Sequence, residues 1–281
     1  MEKLFDMFKN WLKSLFAKQE PEVEVTEDKN DASLTGTFVP STEDIEPDEN
    51  SDTNLYPDPE PEPEPEVEPE PEKVEYKKVI LLDNGHGKST PGKRSPKLPD
   101  GSQFFEYEFN RDIVRRIAAK LDKLGIKYEI LVPEVENDIS LTSRAARANK
   151  FCDKYGVSNC VFLSVHANAA GNGHDWMTAK GWCCYTSKGE TASDPIAEMF
   201  MREAEKVLSP LGWTIRKWSS AKYSWEENYT VLVKTKCPAI LTESLFYDNK
   251  EEVQFLMSEK GRDTIAQIHV NAILKIENGE I

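Results

Sequence analysis

The chain has 281 residues, of which 38% are hydrophobic, and a formal net charge of −15 at pH 7. Residues 19–75 contain 21 acidic and 2 basic residues, whereas residues 1–18 and residues 76–281 each carry a net charge of +2. The acidity therefore belongs to one segment, and nothing in the composition indicates the basic surface of a nucleic-acid-binding protein, so we expect no nucleic-acid partner. The length allows one full domain beside a long unfolded stretch.

The first predicted element is an amphipathic helix over residues 1–18. Its apolar side chains recur every three or four residues, with lysines on the opposite face; they are Leu4, Phe5, Phe8, Trp11, Leu12, Leu15 and Phe16. The segment is too short and too charged to span a membrane, and no signal-peptide cleavage pattern follows it. We expect it to bind a membrane surface or a partner protein, with self-association as the alternative.

Residues 19–75 are predicted to be a disordered, acidic linker rich in proline and glutamate. The segment has almost no apolar periodicity, and proline largely alternates with glutamate over residues 57–72. Such a sequence favours an extended, polyproline-type chain of about 3.1 Å per residue. A spacer is the simpler interpretation, and a docking motif for a basic partner is the alternative.

Strand-like and helical patterns alternate through a predicted domain of residues 76–281. Short apolar runs predict strands at residues 77–83, 127–132, 160–165, 181–185 and 239–242. Helical spacing predicts helices at residues 109–124, 141–155, 195–208, 251–256 and 264–276. This alternation predicts an α/β fold, a three-layer sandwich in which helices flank a mostly parallel, twisted sheet.

Four polar residues stand out at the ends of these elements. His86, His166 and Glu243 each follow the C-terminal end of a predicted strand, and Glu106 precedes a predicted helix. Open α/β sheets bind ligands at this edge, so we expect the four side chains to lie together. Two imidazoles and a carboxylate suit a catalytic zinc ion, and a second carboxylate can transfer protons. Taken singly each residue also fits a structural role, but together they indicate a metal hydrolase.

Three further features leave alternatives open. The five cysteines form no C-x-x-C pair, so reduced, buried thiols are expected rather than a disulfide framework. His269 lies in an apolar helical pattern and is expected to be a hydrogen-bonded helix residue. The aromatic residues of segment 212–229 either form one wall of a substrate groove or pack in the core.

The four polar residues lie in four short motifs, which are DNGHG at 83–87, E-x-x-F-N at 106–110, S-V-H-A-N at 164–168 and P-A-I-L-T-E at 238–243. Their order and spacing over about residues 77–276 resemble the zinc-dependent N-acetylmuramoyl-L-alanine amidases of the amidase-3 family, which includes autolysins and phage endolysins. The resemblance implies that His86, Glu106 and His166 hold Zn²⁺ and that Glu243 is the catalytic carboxylate. It also implies cleavage of the peptidoglycan bond between N-acetylmuramic acid and the L-alanine of the stem peptide.

The chain departs from the family pattern beside two motifs. Asn84 replaces the usual proline, Lys88 replaces a second glycine, and Ser244 and Leu245 follow the glutamate where a small residue is common. These changes lie at the expected rim of the pocket, so we expect them to alter substrate preference more than catalysis.

Basic residues after the first motif are candidates for binding the carboxylates of the stem peptide. They are Lys88, Lys93 and Arg94, and a solvated turn is the alternative for this loop. Asn168 is a further candidate, either for substrate or, with Asp83 and Ser164, for orienting the imidazoles.

Two other functions remain open at this point, a zinc peptidase that cuts within the stem peptide and a non-catalytic cell-wall-binding protein. No signal peptide is visible, although the expected partner, peptidoglycan, lies outside the inner membrane. This combination suits a phage lysin released from the cytoplasm, or an enzyme tethered through residues 1–18.

Overall fold

The computed structural model describes residues 77–280, so the predicted helix of residues 1–18 and the predicted linker of residues 19–75 lie outside the described residues. The described part forms one six-stranded sheet. Its strands are β1 (Val79–Asn84), β2 (Tyr128–Ile130), β3 (Cys160–Asn168), β4 (Cys183–Thr186), β5 (Trp225–Glu226) and β6 (Ala239–Phe246). Its helices are α1 (Glu106–Leu124), α2 (Leu141–Tyr155), α3 (Asp194–Leu208), α4 (Thr230–Lys234), α5 (Lys250–Met257) and α6 (Glu259–Glu277), with short 3₁₀ turns at Val157–Asn159 and Ser209–Leu211.

The strand order is β2-β1-β3-β6-β4-β5, and every neighbouring pair is parallel except β4 and β6. Helices α1, α3 and α6 pack on one face of the sheet, and α2 and α4 pack on the other. The predicted three-layer α/β architecture with a mostly parallel sheet is therefore confirmed.

The central strands supply apolar side chains to both faces. In β1, Ile80 and Leu82 enter the core under α1, α3 and α6, while Val79 and Leu81 enter the core under α2 and α4. The sequence of a parallel strand that is covered on both faces is a nearly continuous run of apolar residues. This is why β1 and the first half of β3 were recognisable from sequence.

The structure differs from the sequence predictions mainly at element ends. Strands β3 and β6 continue three and four residues past their predicted ends, through polar residues that interrupt the apolar run. Helix α1 begins at Glu106 instead of residue 109. The two-residue strand β5 and the five-residue helix α4 were not predicted, because elements this short show no hydrophobic period.

Within residues 77–280, no helix combines the length and the apolar character that crossing a membrane requires.

Candidate active site

Three of the predicted side chains converge on one point from three different elements. His86 follows β1, Glu106 is the first residue of α1, and His166 lies within β3. Their ligand atoms all lie within 4.8 Å of one another. Glu106 Oε1 is 3.3 Å from His86 Nε2 and 3.1 Å from His166 Nδ1. The predicted ligand set is thus assembled in one group.

The protonation of this group suits a cation. Burial raises the pKa of Glu106, but hydrogen bonds and charge interactions with His166 and His86 outweigh it and hold the pKa well below its usual value. Burial lowers the pKa of His166. Glu106 Oε2 is buried without a hydrogen-bond partner among the described residues. An ionised carboxylate, a neutral imidazole and an unpartnered oxygen are the state that metal binding requires.

The loop after β1, which carries His86, has one very close packing contact and one uncommon backbone angle. Gly85 packs so closely on the His166 ring that a Cβ there would lie 2.0 Å from His166 Cε1. His86 has a φ of 63°, which is uncommon for a residue other than glycine. Its carbonyl accepts hydrogen bonds from Arg111 Nη1 at 2.9 Å and Arg144 Nη2 at 3.3 Å. Two guanidinium groups therefore hold this strained residue in place.

Arg144, on the first turn of α2, also ties the ends of β1 and β3 together. Its side chain is buried and donates to Asp83 Oδ1 and to the Asn84 carbonyl, both at 2.8 Å. Ser164 Oγ donates to Asp83 Oδ2 at 2.6 Å. Asp83 and Ser164, which sequence suggested as partners of the imidazoles, thus bond to each other and to Arg144. Sequence gave no signal for Arg144, because a basic residue on a helix is usually solvent-facing.

Glu106 lies at the N-terminus of α1, where the helix dipole favours a negative charge. Its backbone N–H donates to the Lys93 carbonyl at 3.0 Å. One turn later, Asn110 Nδ2 donates to the Gly85 carbonyl at 3.0 Å. The start of α1 is therefore bonded to the loop that carries His86, which fixes the distance between the two side chains.

Glu243 lies on β6 directly opposite His166 in the register of the two strands. Its Oε2 is buried without a partner among the described residues. Burial, followed by repulsion from Glu106, raises the pKa of Glu243 well above its usual value, and Lys93 partly opposes this shift. Glu243 lines the same cleft as His86 and His166 but is not part of the candidate metal-binding group of His86, Glu106 and His166. This position suits a carboxylate that exchanges protons.

The cleft has a volume of about 430 Å³, and residues at the N-terminal ends of α2 and α4 contribute to its lining. Its lining includes His86, Lys93, Arg144, His166, Tyr229 and Glu243. The sequence model of the family described as N-acetylmuramoyl-L-alanine amidase, Amidase_3, matches residues 80–275, which contain this whole site. The chain belongs to this amidase family.

Relatives of the amidase domain agree with this assignment. The chain is 30% identical over 206 residues to an endolysin of Bacillus phage SPP1, covering 72% of this chain and 66% of that protein. It is 27% identical over 204 residues to the N-acetylmuramoyl-L-alanine amidase CwlM of Bacillus licheniformis, covering 71% and 68%. The family resemblance drawn from the four motifs is confirmed, and the matched domain is that of a peptidoglycan amidase acting between N-acetylmuramic acid and L-alanine.

Solved structures show the same fold. The crystal structure of N-acetylmuramoyl-L-alanine amidase from Clostridium difficile 630 has a TM-score of 0.59 and 25% identity, covering 74% of this chain and all of that one. The catalytic domain of CwlV, an N-acetylmuramoyl-L-alanine amidase from Bacillus (Paenibacillus) polymyxa, has a TM-score of 0.55 at 22% identity, covering 72% of this chain and 98% of that one.

The four predicted substrate-binding residues of the amidase lie in different surroundings. Lys93 lines the cleft, with Nζ 3.7 Å from Glu106 Oε2. Lys88 is exposed and pairs with a surface glutamate, Glu136, at 3.2 Å. Arg94 lines a separate surface depression. Asn168 lies at the end of β3, with Nδ2 3.8 Å from Cys183 Sγ. The structure therefore brings Lys93 to the candidate metal-binding group, whereas Lys88, Arg94 and Asn168 are not among the residues that line the cleft.

The structure shows where the residues lie whose roles the sequence left open. All five cysteines are free and buried. His269 is buried on α6, with Nε2 2.9 Å from Thr242 Oγ1 and Nδ1 2.8 Å from the Ile265 carbonyl, as expected for a structural residue. The aromatic segment divides between the two alternatives, because Trp213 packs against Phe255 in the core whereas Tyr229 lines the cleft.

Proposed function

We propose that this amidase is zinc-dependent, with Zn²⁺ held by His86, Glu106 and His166 and with Glu243 as the catalytic carboxylate. The observation that carries the proposal is the convergence of the three ligand side chains beside a buried, unpartnered oxygen of Glu106. Two imidazoles and one carboxylate are a usual protein ligand set for catalytic zinc. Zinc bound there would lower the pKa of a water molecule and polarise the amide carbonyl of the substrate.

Glu243 then handles the protons of the hydrolysis. Its carboxylate accepts a proton as the water oxygen attacks the carbonyl carbon, and it passes that proton to the nitrogen of L-alanine as the carbon–nitrogen bond breaks. The products are a free lactyl carboxyl group on the glycan and a stem peptide with a new amino terminus. Burial supports this role, since a carboxyl group with a raised pKa gives up its proton less readily than an exposed one and can hold it between the two steps.

Lys93 is the proposed contact for the stem peptide. Its carbonyl accepts a hydrogen bond from the Glu106 N–H at the start of α1, and its ammonium group lies at the cleft beside Glu106. A cation there attracts the carboxylates that muropeptides carry. Lys88, Arg94 and Asn168 stay predictions, and because they are not among the residues that line the cleft, we propose that they contact parts of the substrate that extend beyond it.

The domain division stays a proposal as well. We place the catalytic domain at residues 76–281, and we propose that residues 1–18 attach it to a membrane surface or a protein while residues 19–75 act as the spacer. Peptidoglycan is the proposed substrate of the whole chain.

The test is digestion of purified peptidoglycan by the full chain with zinc, with a chelator, and as Glu243→Gln. We expect zinc-dependent release of L-alanine amino termini, a fall of roughly 10²–10⁴-fold in Glu243→Gln, and an unchanged zinc content in that variant. Glu190→Gln, a change at an exposed glutamate, is the matched control and should keep full activity. New amino termini from within the stem peptide would instead show a peptidase, and bound zinc without any release would show a binding protein.

A further inference from the structure

A second, smaller pocket lies beside β5, at one edge of the sheet. It has a volume of about 260 Å³ and is lined by Lys188, Trp218, Lys222, Ser224 and Glu226. Trp218 is 63% exposed, the largest exposed fraction among the large apolar side chains of residues 77–280. An aromatic ring of this size left open to water is a common mark of a binding surface.

The indole of Trp218 packs against a second tryptophan. It contacts Trp225 edge-on, with ring centroids 5.1 Å apart and planes at 81°. Its backbone N–H donates to the Tyr223 carbonyl at 3.1 Å, and Trp225 Nε1 donates to the Arg216 carbonyl at 2.7 Å. Trp225, which is fixed by this bond, supports one side of the Trp218 indole, and such support lowers the entropy lost when a ligand binds the exposed face.

Polar groups surround this indole. Ser224 is fully buried, and its Oγ has no hydrogen-bond partner among the described residues although it lines the pocket. Glu226 pairs with Lys222 and accepts the Gly189 N–H at 3.1 Å, and these bonds lower its pKa, so it is an ionised acceptor. The pocket thus offers an apolar plane, a free hydroxyl, a carboxylate and ammonium groups. A pyranose ring matches this set, since its C–H face is apolar and its equatorial substituents are polar.

A row of aromatic rings connects this pocket to the catalytic cleft. Tyr229 lines the cleft, and its ring lies 5.4 Å from that of Tyr185. The Tyr185 ring lies 6.3 Å from Trp225, which in turn contacts Trp218. Tyr185 lies on β4 and Trp225 on β5, and β6 separates these two strands from β3 and β1. The row of rings therefore leads across the sheet, away from the candidate metal-binding group. Lys93, which also lines the cleft, lies on the loop that follows β1, and β3 and β6 separate β1 from β4 in the sheet.

We propose that the pocket around Trp218 is a saccharide subsite that binds a pyranose ring of the glycan strand while the stem peptide extends past Lys93. The amide bond cut by the amidase joins a sugar to a peptide, so a bound substrate must leave the cleft as glycan on one side and as peptide on the other. The inference rests on the proposed function for the identity of its ligand, and it assigns the β4–β5 side to the glycan.

The test uses the full chain and a soluble tetrasaccharide of N-acetylglucosamine, which has no stem peptide and therefore no bond for an amidase to cut. Binding is measured by calorimetry for the wild type, Trp218→Ala and Trp218→Phe. We expect Trp218→Ala to weaken binding by about 10-fold or more and Trp218→Phe, which keeps an aromatic plane, by a few-fold at most. Leu211→Ala, a change at an exposed apolar residue outside the pocket, is the matched control and should bind as the wild type.

Three results would overturn the assignment: no binding by the wild type, equal binding by Trp218→Ala, or Trp218-dependent binding of a stem peptide in place of the tetrasaccharide. The outcome is separate from that of the amidase proposal, because no hydrolysis is measured. Trp218-dependent sugar binding in a chain that releases no L-alanine amino termini would support the subsite and refute the proposed hydrolysis.

Discussion

Replacing Gly85 with alanine should remove metal binding while leaving the fold intact. The added Cβ would lie 2.0 Å from His166 Cε1, whereas non-bonded carbon atoms sit about 3.5 Å apart. The imidazole would have to retreat by roughly 1.5 Å, and metal–ligand distances tolerate only about 0.2 Å. We therefore expect zinc affinity to fall by at least about 100-fold, together with about 1–3 kcal/mol of overpacking cost in stability.

The assay is calorimetric zinc titration of the metal-free full chain, with thermal unfolding measured on the same samples. Gly171→Ala is the matched control. A Cβ at Gly171 would lie 3.2 Å from the side chain of Met177, which can move aside, so this variant should bind zinc as the wild type does. If Gly85→Ala bound one zinc ion with wild-type affinity, the packing of the loop against His166 would not be what positions this ligand, and the reasoning would be wrong.

Three changes outside the metal-binding group should alter stability in distinct ways. Arg144→Leu leaves Asp83 buried without its cation and should cost about 3–5 kcal/mol in urea unfolding. Burial lowers the pKa of His269 from 6.5 to about 4, so the unfolded chain takes up a proton first as the pH falls. Stability relative to His269→Gln should therefore drop by about 3 kcal/mol between pH 6.5 and 4, and a pH-independent difference would contradict this. Leu245 is buried at a φ of 65°, and only glycine would relieve the roughly 1 kcal/mol of backbone strain there. We therefore expect Leu245→Ala to destabilise the protein more than Leu245→Gly does. A lower melting temperature for Leu245→Gly than for Leu245→Ala would contradict this.

The fold was predictable where hydrophobic periodicity is long and uninterrupted. The predicted bounds of β1 and α2 lie within two residues of the observed ones. Burial on both sheet faces leaves a continuous apolar run in β1, and burial on one helix face leaves apolar residues at helical spacing in α2. β5 and α4 were missed, and with them the reversed direction of β4. Their position depends on contacts with distant strands, and such contacts leave no local pattern.

The convergence of the candidate metal ligands, with Glu243 beside them, was predictable for a different reason. His86, Glu106, His166 and Glu243 each interrupt an apolar or helical pattern at one edge of the predicted sheet, and polar residues gathered at such an edge have few structural explanations. The groups that orient them were not predictable. Arg144 acts through the His86 carbonyl and Asp83, and only the packing of α2 against β1 and β3 shows that contact.

The end of β6 explains why Glu243 can serve the cleft from inside a strand. His166 pairs with Glu243 and Asn168 pairs with Phe246, so β6 has one residue more than β3 over this interval, which is a β-bulge. In a regular strand, Leu245 would point to the same face as Glu243. The positive φ at Leu245 turns its side chain into the core on the opposite face. Glu243 lines the cleft beside Leu241, directly opposite His166 in the strand register. The departure from the family pattern after this glutamate therefore lies at a β-bulge next to the proposed catalytic carboxylate.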